Sequence, residues 1–154
     1  MTKNPPLQLD DKAWLLLQAL QADARAPLKA LADAAGLSMP ATAERIKRLQ
    51  EAGVVRGYHA QVDPAAVGYG VRAIVGIHVP QPGKRALLDK LASLPEVLEC
   101  HHVAGEDSYV MQVVATTLQD LERFLAGING YGETRTSIVF STPIERRGLA
   151  RPVR

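Results

Sequence analysis

The densest group of reactive side chains in the sequence is Cys100-His101-His102, three metal-ligand types in a row. Neighbours on an extended strand point to opposite faces, so these three cannot converge on one ion. Cys100 and His102 share a face, but two ligands do not close a site, and no other Cys or His pair has zinc spacing. There is no glycine-rich phosphate loop and no Gly-x-Ser-x-Gly nucleophile turn. No metal, cofactor or catalytic residue is expected. Arg45, Lys47 and Arg48 suggest a different chemistry: guanidinium and ammonium groups suited to guanine edges and phosphate oxygens. They are the tightest part of a basic excess in residues 1–60, where eight Lys and Arg face six acids; residues 61–154 carry ten of each.

The elements that must position these residues are legible. The 154 residues suit one ordinary domain or two small ones. With only two Phe and one Trp, the core must be Leu, Val, Ile and Ala. The single cysteine, Cys100, cannot form an internal disulfide, which fits a reducing cytoplasm. No apolar run is long enough to cross a membrane, and Met1 to Asp10 has no signal-like apolar core. No membrane partner is expected.

Asp10 and Asp11 are N-cap candidates for a first helix with Ala13, Leu16, Leu17 and Leu20 on one face, ending before Pro27. A second helix is expected over Leu28 to Ala35, with Leu28, Leu31 and Ala32 buried and Gly36 as its stop. Leu37 should tuck into the core. Ser38 caps a third helix with Pro40 in its first turn, running to about Ala52. Helix, tight turn, helix is a helix-turn-helix. On the third helix Ala43, Ile46 and Leu49 are expected to face the core. Ala41, Arg45 and Arg48 point away, with Thr42 and Lys47 at the flanks. Taken alone, the basic run is a solvated helix face. The turn, the cap and the small residues together favour recognition of double-stranded DNA. Val54, Val55, Tyr58 and Ala60 read as an extended wing or hinge strand.

After a connector containing Asp63, Pro64, Gly68 and Gly70, strand alternation runs from Val71 to Val79. A helix follows on Leu87, Leu88 and Leu91. Two strands, Val97 to Val103 and Tyr109 to Ala115, flank a turn at Gly105, Glu106 and Asp107. A second helix carries Leu118, Leu121, Phe124, Leu125 and Ile128. A last strand spans Thr134 to Ser141, and Arg146, Arg147, Arg151 and Arg154 decorate a tail expected to be loosely ordered. The order is βαββαβ, a ferredoxin-like arrangement. Its two helices cover one sheet face, and a second copy of the same sheet is the expected cover for the other.

The sequence resembles the leucine-responsive regulatory protein (Lrp/AsnC) family over about Leu9 to Leu149. The matching stretches are LDDKAWLLLQALQADARAPLKALADAAGLSMPATAERIKRLQEAGVVRGYHAQVD, EVLECHHVAGEDSYVMQVVA and TRTSIVF. The resemblance implies an α+β chain. A winged helix-turn-helix DNA-binding domain occupies residues 1–62, and a ferredoxin-like (RAM) ligand-sensing and oligomerisation domain residues 63–154. It implies a cytoplasmic transcription regulator that is not an enzyme, with Ser38, Pro40, Thr42, Arg45, Lys47 and Arg48 at the DNA. It also implies dimers assembling to octamers, and a small-molecule effector, an amino acid, bound between subunits. The effector residues so implied are Ala104, Gly105, Glu106, Asp107 and Ser108 in the turn, and Thr134, Thr136 and Ser137 at the start of the last strand. Turn N–H groups suit a carboxylate, and Asp107 or Glu106 suits an ammonium; Gly105 reads equally well as a turn residue that accepts positive φ.

Two other readings use the same residues. Some haem-biosynthesis decarboxylases resemble this fold, and His78, His101 and His102 would then face a tetrapyrrole; the capped basic helix argues against that. A purely architectural DNA protein would use the second domain only to oligomerise.

Overall fold

A computed structural model describes residues 8–153. Lys3, Arg154 and the first seven residues of the segment examined for a signal lie outside them. The chain divides into two compact units, residues 1–60 with 145–154, and residues 61–144.

The first unit is built from three helices: α1 (Asp11–Ala22), α2 (Leu28–Ala35) and α3 (Met39–Glu51). Asp10 caps α1, its carboxylate accepting the Ala13 N–H at 2.8 Å. Gly36 ends α2 in the left-handed region at φ +60°, and its N–H and that of Leu37 return to carbonyls of the last turn. A side chain at that φ would be strained, which is why glycine stands there. Leu16, Leu20, Leu31 and Ala35 form one buried cluster, with Leu37 and Ile46 packed against it. Ala13, Leu17 and Leu49 form a second. Leu28, expected in the α2 stripe, is exposed, and Ala35 fills that place.

Two expectations change here. Val54 to Ala60 forms no strand. The N–H groups of Val54 and Val55 both turn back to the Leu49 carbonyl, at 2.9 and 3.1 Å. The described part of the first unit also offers no other strand to pair with. Among the described residues the first unit is a helix-turn-helix in which no strand is formed. Second, the tail is not a loose extension of the second unit. From Glu145 onward it groups with the first unit, held by side chains of α1.

The second unit carries β1 (Val71–His78), α4 (Lys84–Ala92), β2 (Val97–His102), β3 (Tyr109–Ala115), α5 (Leu118–Ile128) and β4 (Glu133–Ile138). The sheet order is β2-β3-β1-β4 with every pair antiparallel. Ala73, Val75, Ile77 and Val79 face one way with Tyr109, Met111, Val113 and Ala115. They pack against Leu87 and Leu91 of α4 and Leu121, Phe124 and Ile128 of α5 in one continuous core. The period-two alternation of these strands places these eight residues on one face. Thr117 starts α5 with a reciprocal capping box to Asp120. The last strand stops at Ile138, short of the expected Ser141.

Candidate functional site

The first site is the outer surface of α3. Leu49 is buried and Ile46 packs on the core as expected, but Thr42 takes the place expected of Ala43. The buried stripe of the helix runs through Thr42, which is 0% exposed, and Leu49, while Ala43 lies in the open. Burying Thr42 is possible because its hydroxyl donates to the Ser38 carbonyl at 2.9 Å, one turn back. Thr42 is therefore an internal residue and not part of an exposed recognition face. Ser38 caps the helix weakly, its Oγ accepting from Ala41 N at 3.4 Å, and Pro40 occupies the exposed first turn.

Arg45 also differs from expectation. It turns toward α1 and forms a two-point contact with Asp10, Nη1 lying 3.0 and 2.8 Å from the two carboxylate oxygens. Asp10 thus caps α1 and clamps α3 at once. The N–H of Ala13, and then the Arg45 guanidinium, hold its carboxyl below the usual carboxylate range. Outward-facing cations remain at Lys47 and Arg48, with side chains 67% and 72% exposed. Each has an acid one turn away: Arg48 Nε lies 2.9 Å from Glu44, and Lys47 Nζ 3.7 Å from Glu51. With Ala41 and Ala43 beside them, these side chains stand on a surface low enough to approach a groove.

The second site is a hollow of about 390 Å³ lined by His78, Gly105, Glu106, Asp107, Glu133 and Arg135. It opens where the β2–β3 turn meets β1 and β4. Gly105 sits in the turn at φ +145°, open only to glycine without strain. Arg135 is at its centre: its guanidinium pairs with Glu106 at 2.5 Å and Asp107 at 2.8 Å. Those two carboxylates push the arginine pKa up, so it is a fixed cation. Asp107 reaches across Gly76, where any Cβ would collide with its carboxylate. His78 Nδ1 lies 2.9 Å from the Glu106 carbonyl.

The structure brings only part of the expected effector set together. Gly105, Glu106 and Asp107 line the hollow; Ala104 and Ser108 do not. Ser108 is buried, and its Oγ accepts the Val79 N–H at 3.1 Å and lies 3.4 Å from the Val79 carbonyl, fastening the turn to the end of β1. Thr134 and Thr136 pair opposite Ile77 and Val75, which puts them on the helix-covered side of the sheet. Thr134 is engaged with Asn129 at 2.9 Å. Ser137 shares the side of Arg135 but lies outside the hollow. Arg135, His78 and Glu133 were missed. Strand parity held the signal: Arg135 lies between two threonines, on the opposite face from both.

Cys100 pairs opposite Met111 on the core side, and burial raises its thiol pKa, keeping it protonated. His101 lies on the opposite side, with its Nε2 3.5 Å from Glu99. Among the described residues no three His, Cys, Asp or Glu side chains converge as metal ligands, and no helix is long and apolar enough to cross a membrane.

Two family models match the chain. The AsnC-type helix-turn-helix domain matches residues 9–50, and the Lrp/AsnC ligand binding domain matches residues 72–149. The HTH-type transcriptional regulator LrpA of Mycobacterium tuberculosis is 39% identical over 137 residues, covering 87% of this chain and 91% of that protein. The HTH-type transcriptional regulator AldR of Mycolicibacterium smegmatis is 34% identical over 139 residues, covering 86% and 81%. Among solved structures, a transcriptional regulator of Neisseria meningitidis in complex with L-Met superposes with TM-score 0.86 at 26% identity, covering 92% and 96%. A feast or famine regulatory protein from M. tuberculosis complexed with L-methionine gives 0.84 at 39% identity, covering 90% and 97%. Two family matches in the order of the two units, and relatives that align over nearly their whole length, place this chain in the Lrp/AsnC family of helix-turn-helix transcriptional regulators.

Proposed function

We propose that the chain is an amino-acid-responsive regulator whose effector occupies the hollow around Arg135. The observation that carries this reading is the Arg135 clasp. A guanidinium held between two carboxylates offers both charges that an α-amino acid must meet. The ligand carboxylate would take Arg135 and the N–H groups of the turn, and its ammonium would take Asp107 or Glu106. The exchange substitutes ion pairs for ion pairs, so no charge is left unpaired. The relatives solved with L-methionine support the ligand class.

In this reading the N-terminal helix-turn-helix contacts double-stranded DNA through Lys47, Arg48 and the Ser38–Pro40 end of α3. The domain from residue 63 senses and oligomerises. The helix-free sheet face, with Ile74 45% exposed at its centre, supports a second copy as its cover. Dimers assembling to octamers in the cytoplasm complete the reading. The effector acts by favouring one assembly over another, and so one spacing of recognition helices.

The test is a mobility shift on the DNA upstream of the gene, with and without a panel of amino acids, for the native chain and Arg135→Gln. The native chain should shift the DNA, one amino acid should alter the shift, and the variant should keep DNA binding but lose the response. A response that survives in the variant sinks the assigned hollow.

A further inference from the structure

The segment after the second unit presents an arrangement that neither site uses. The carboxamide of Gln21, near the end of α1, grips the backbone of Leu149 from both sides. Its Nε2 donates to the Leu149 carbonyl at 3.1 Å, and its Oε1 accepts the Leu149 N–H at 2.6 Å. Gly148 lies so close that a Cβ there would stand 3.2 Å from the Gln21 side chain. Two residues on, Arg151 Nη1 meets Asp11 at 2.5 Å at the other end of the same helix. Asp11 adjoins Asp10, which holds Arg45 of α3. The acidic start of α1 therefore tethers one arginine from the recognition helix and one from the tail.

This anchoring does not serve the core. Leu149 and Val153, the apolar residues of the anchored stretch, are 77% and 101% exposed. A packing strap would bury them. What the anchors hold in place is charge. Arg146 and Arg147 are exposed and have no ion pair among the described residues, and Glu145 is the only acid from residue 145 onward.

We infer that residues 145–153 form a basic arm, docked on α1, that adds contacts to the sugar–phosphate backbone of duplex DNA beside the recognition helix. Arg146 and Arg147 make the contacts. Gln21 and Asp11 hold the arm so that its ordering cost is met before DNA arrives. Such contacts raise affinity for any sequence and add nothing to base reading. The inference rests on DNA binding by the first unit.

The experiment measures the affinity of the full chain for a random-sequence duplex of about 30 base pairs, between about 50 and 200 mM KCl. For Arg146→Gln/Arg147→Gln the slope of log affinity against log salt should shrink by about 1.8, roughly 0.9 for each lost phosphate contact. Its thermal midpoint should not move, because both side chains are exposed and unpaired. A second variant, Gln21→Ala, keeps every charge and the Arg151–Asp11 pair but releases Leu149, the anchor nearest Arg146 and Arg147, and should also weaken binding. An unchanged salt slope in the double variant overturns the proposal, and equal binding by Gln21→Ala overturns the docked arm. If the native chain itself fails to bind duplex, the underlying DNA reading fails with it; if it binds and only the slope stays fixed, the arm alone fails.

Discussion

At the scale of single residues, the arginines of α3 separate into two kinds. Arg48 is 72% exposed and has no partner beyond its own helix. An exposed pair one helical turn apart contributes little stability, a few tenths of a kcal/mol. Arg48→Ala should therefore weaken DNA binding by about tenfold or more and leave the urea midpoint in place, as titration and denaturation on the same preparation would show. Arg45→Ala should behave oppositely at first sight, lowering the urea midpoint because it breaks the α1–α3 clamp. Asp10 supplies the matching pH dependence. Its carboxyl titrates lower in the folded chain than in the unfolded one. The stability it contributes is present above the unfolded carboxylate pKa and is lost as pH falls through the folded value. Native chain and Asp10→Asn should differ in urea midpoint at pH 7 and converge in acid. A difference that does not narrow as the pH falls would contradict the clamp.

At the scale of elements, helix ends decide more than helix interiors. The α5 capping box joins Thr117 and Asp120 in both directions, with Asp120 N donating to Thr117 Oγ1 at 3.1 Å. Thr117→Ala removes one half of it and should cost about 1 kcal/mol, read as a lowered thermal midpoint. Because α5 covers the sheet with Leu121, Phe124 and Ile128, that loss should spread through the second unit rather than fray one helix. The helices and strands themselves were legible in the residues. Ser38 with Pro40, Gly36, and the alternation of Val71 to Val79 predict α3, the end of α2 and β1 nearly as they occur. The wing was not legible, because Val54 to Ala60 has strand composition but the described first unit gives it nothing to pair with. The burial of Thr42 was missed for a related reason. Thr42 counts as polar in a pattern, yet a hydroxyl satisfied by the carbonyl one turn back buries as readily as an apolar group.

At the scale of the whole molecule, assembly turns on the sheet of the second unit, whose two helices lie on one side of it. Arg72, Ile74 and His78 of β1 and Gln112 of β3 face away from the helices and are exposed. A second copy on that face predicts that Ile74→Glu shifts the chain from an assembly toward monomers in analytical ultracentrifugation, by burying a charge where the interface needs an apolar side chain. A monomeric native chain would remove the basis for that cover and for effector binding between subunits. The two sites and the arm make separate claims on DNA affinity. Lys47 and Arg48 should set which sequence is bound, Arg135 whether an amino acid matters, and Arg146 and Arg147 how steeply salt matters.

The residues by themselves determined the order of the elements, the helix-turn-helix, the βαββαβ topology and the family. The elements follow from local rules of capping, turn geometry and period, acting within a dozen residues; the family came from the resemblance of whole stretches. The family resemblance, and not the residue pattern, pointed to the turn after β2 and the start of β4 as the proposed effector site. Only the tertiary structure decided which side chains on those elements meet. A register of one residue reverses a strand face, so Arg135 and not Thr134 or Thr136 entered the hollow. Contacts between residues far apart in sequence, Asp10 with Arg45 and Gln21 with Leu149, leave no periodic trace. Their geometry depends on how whole elements pack.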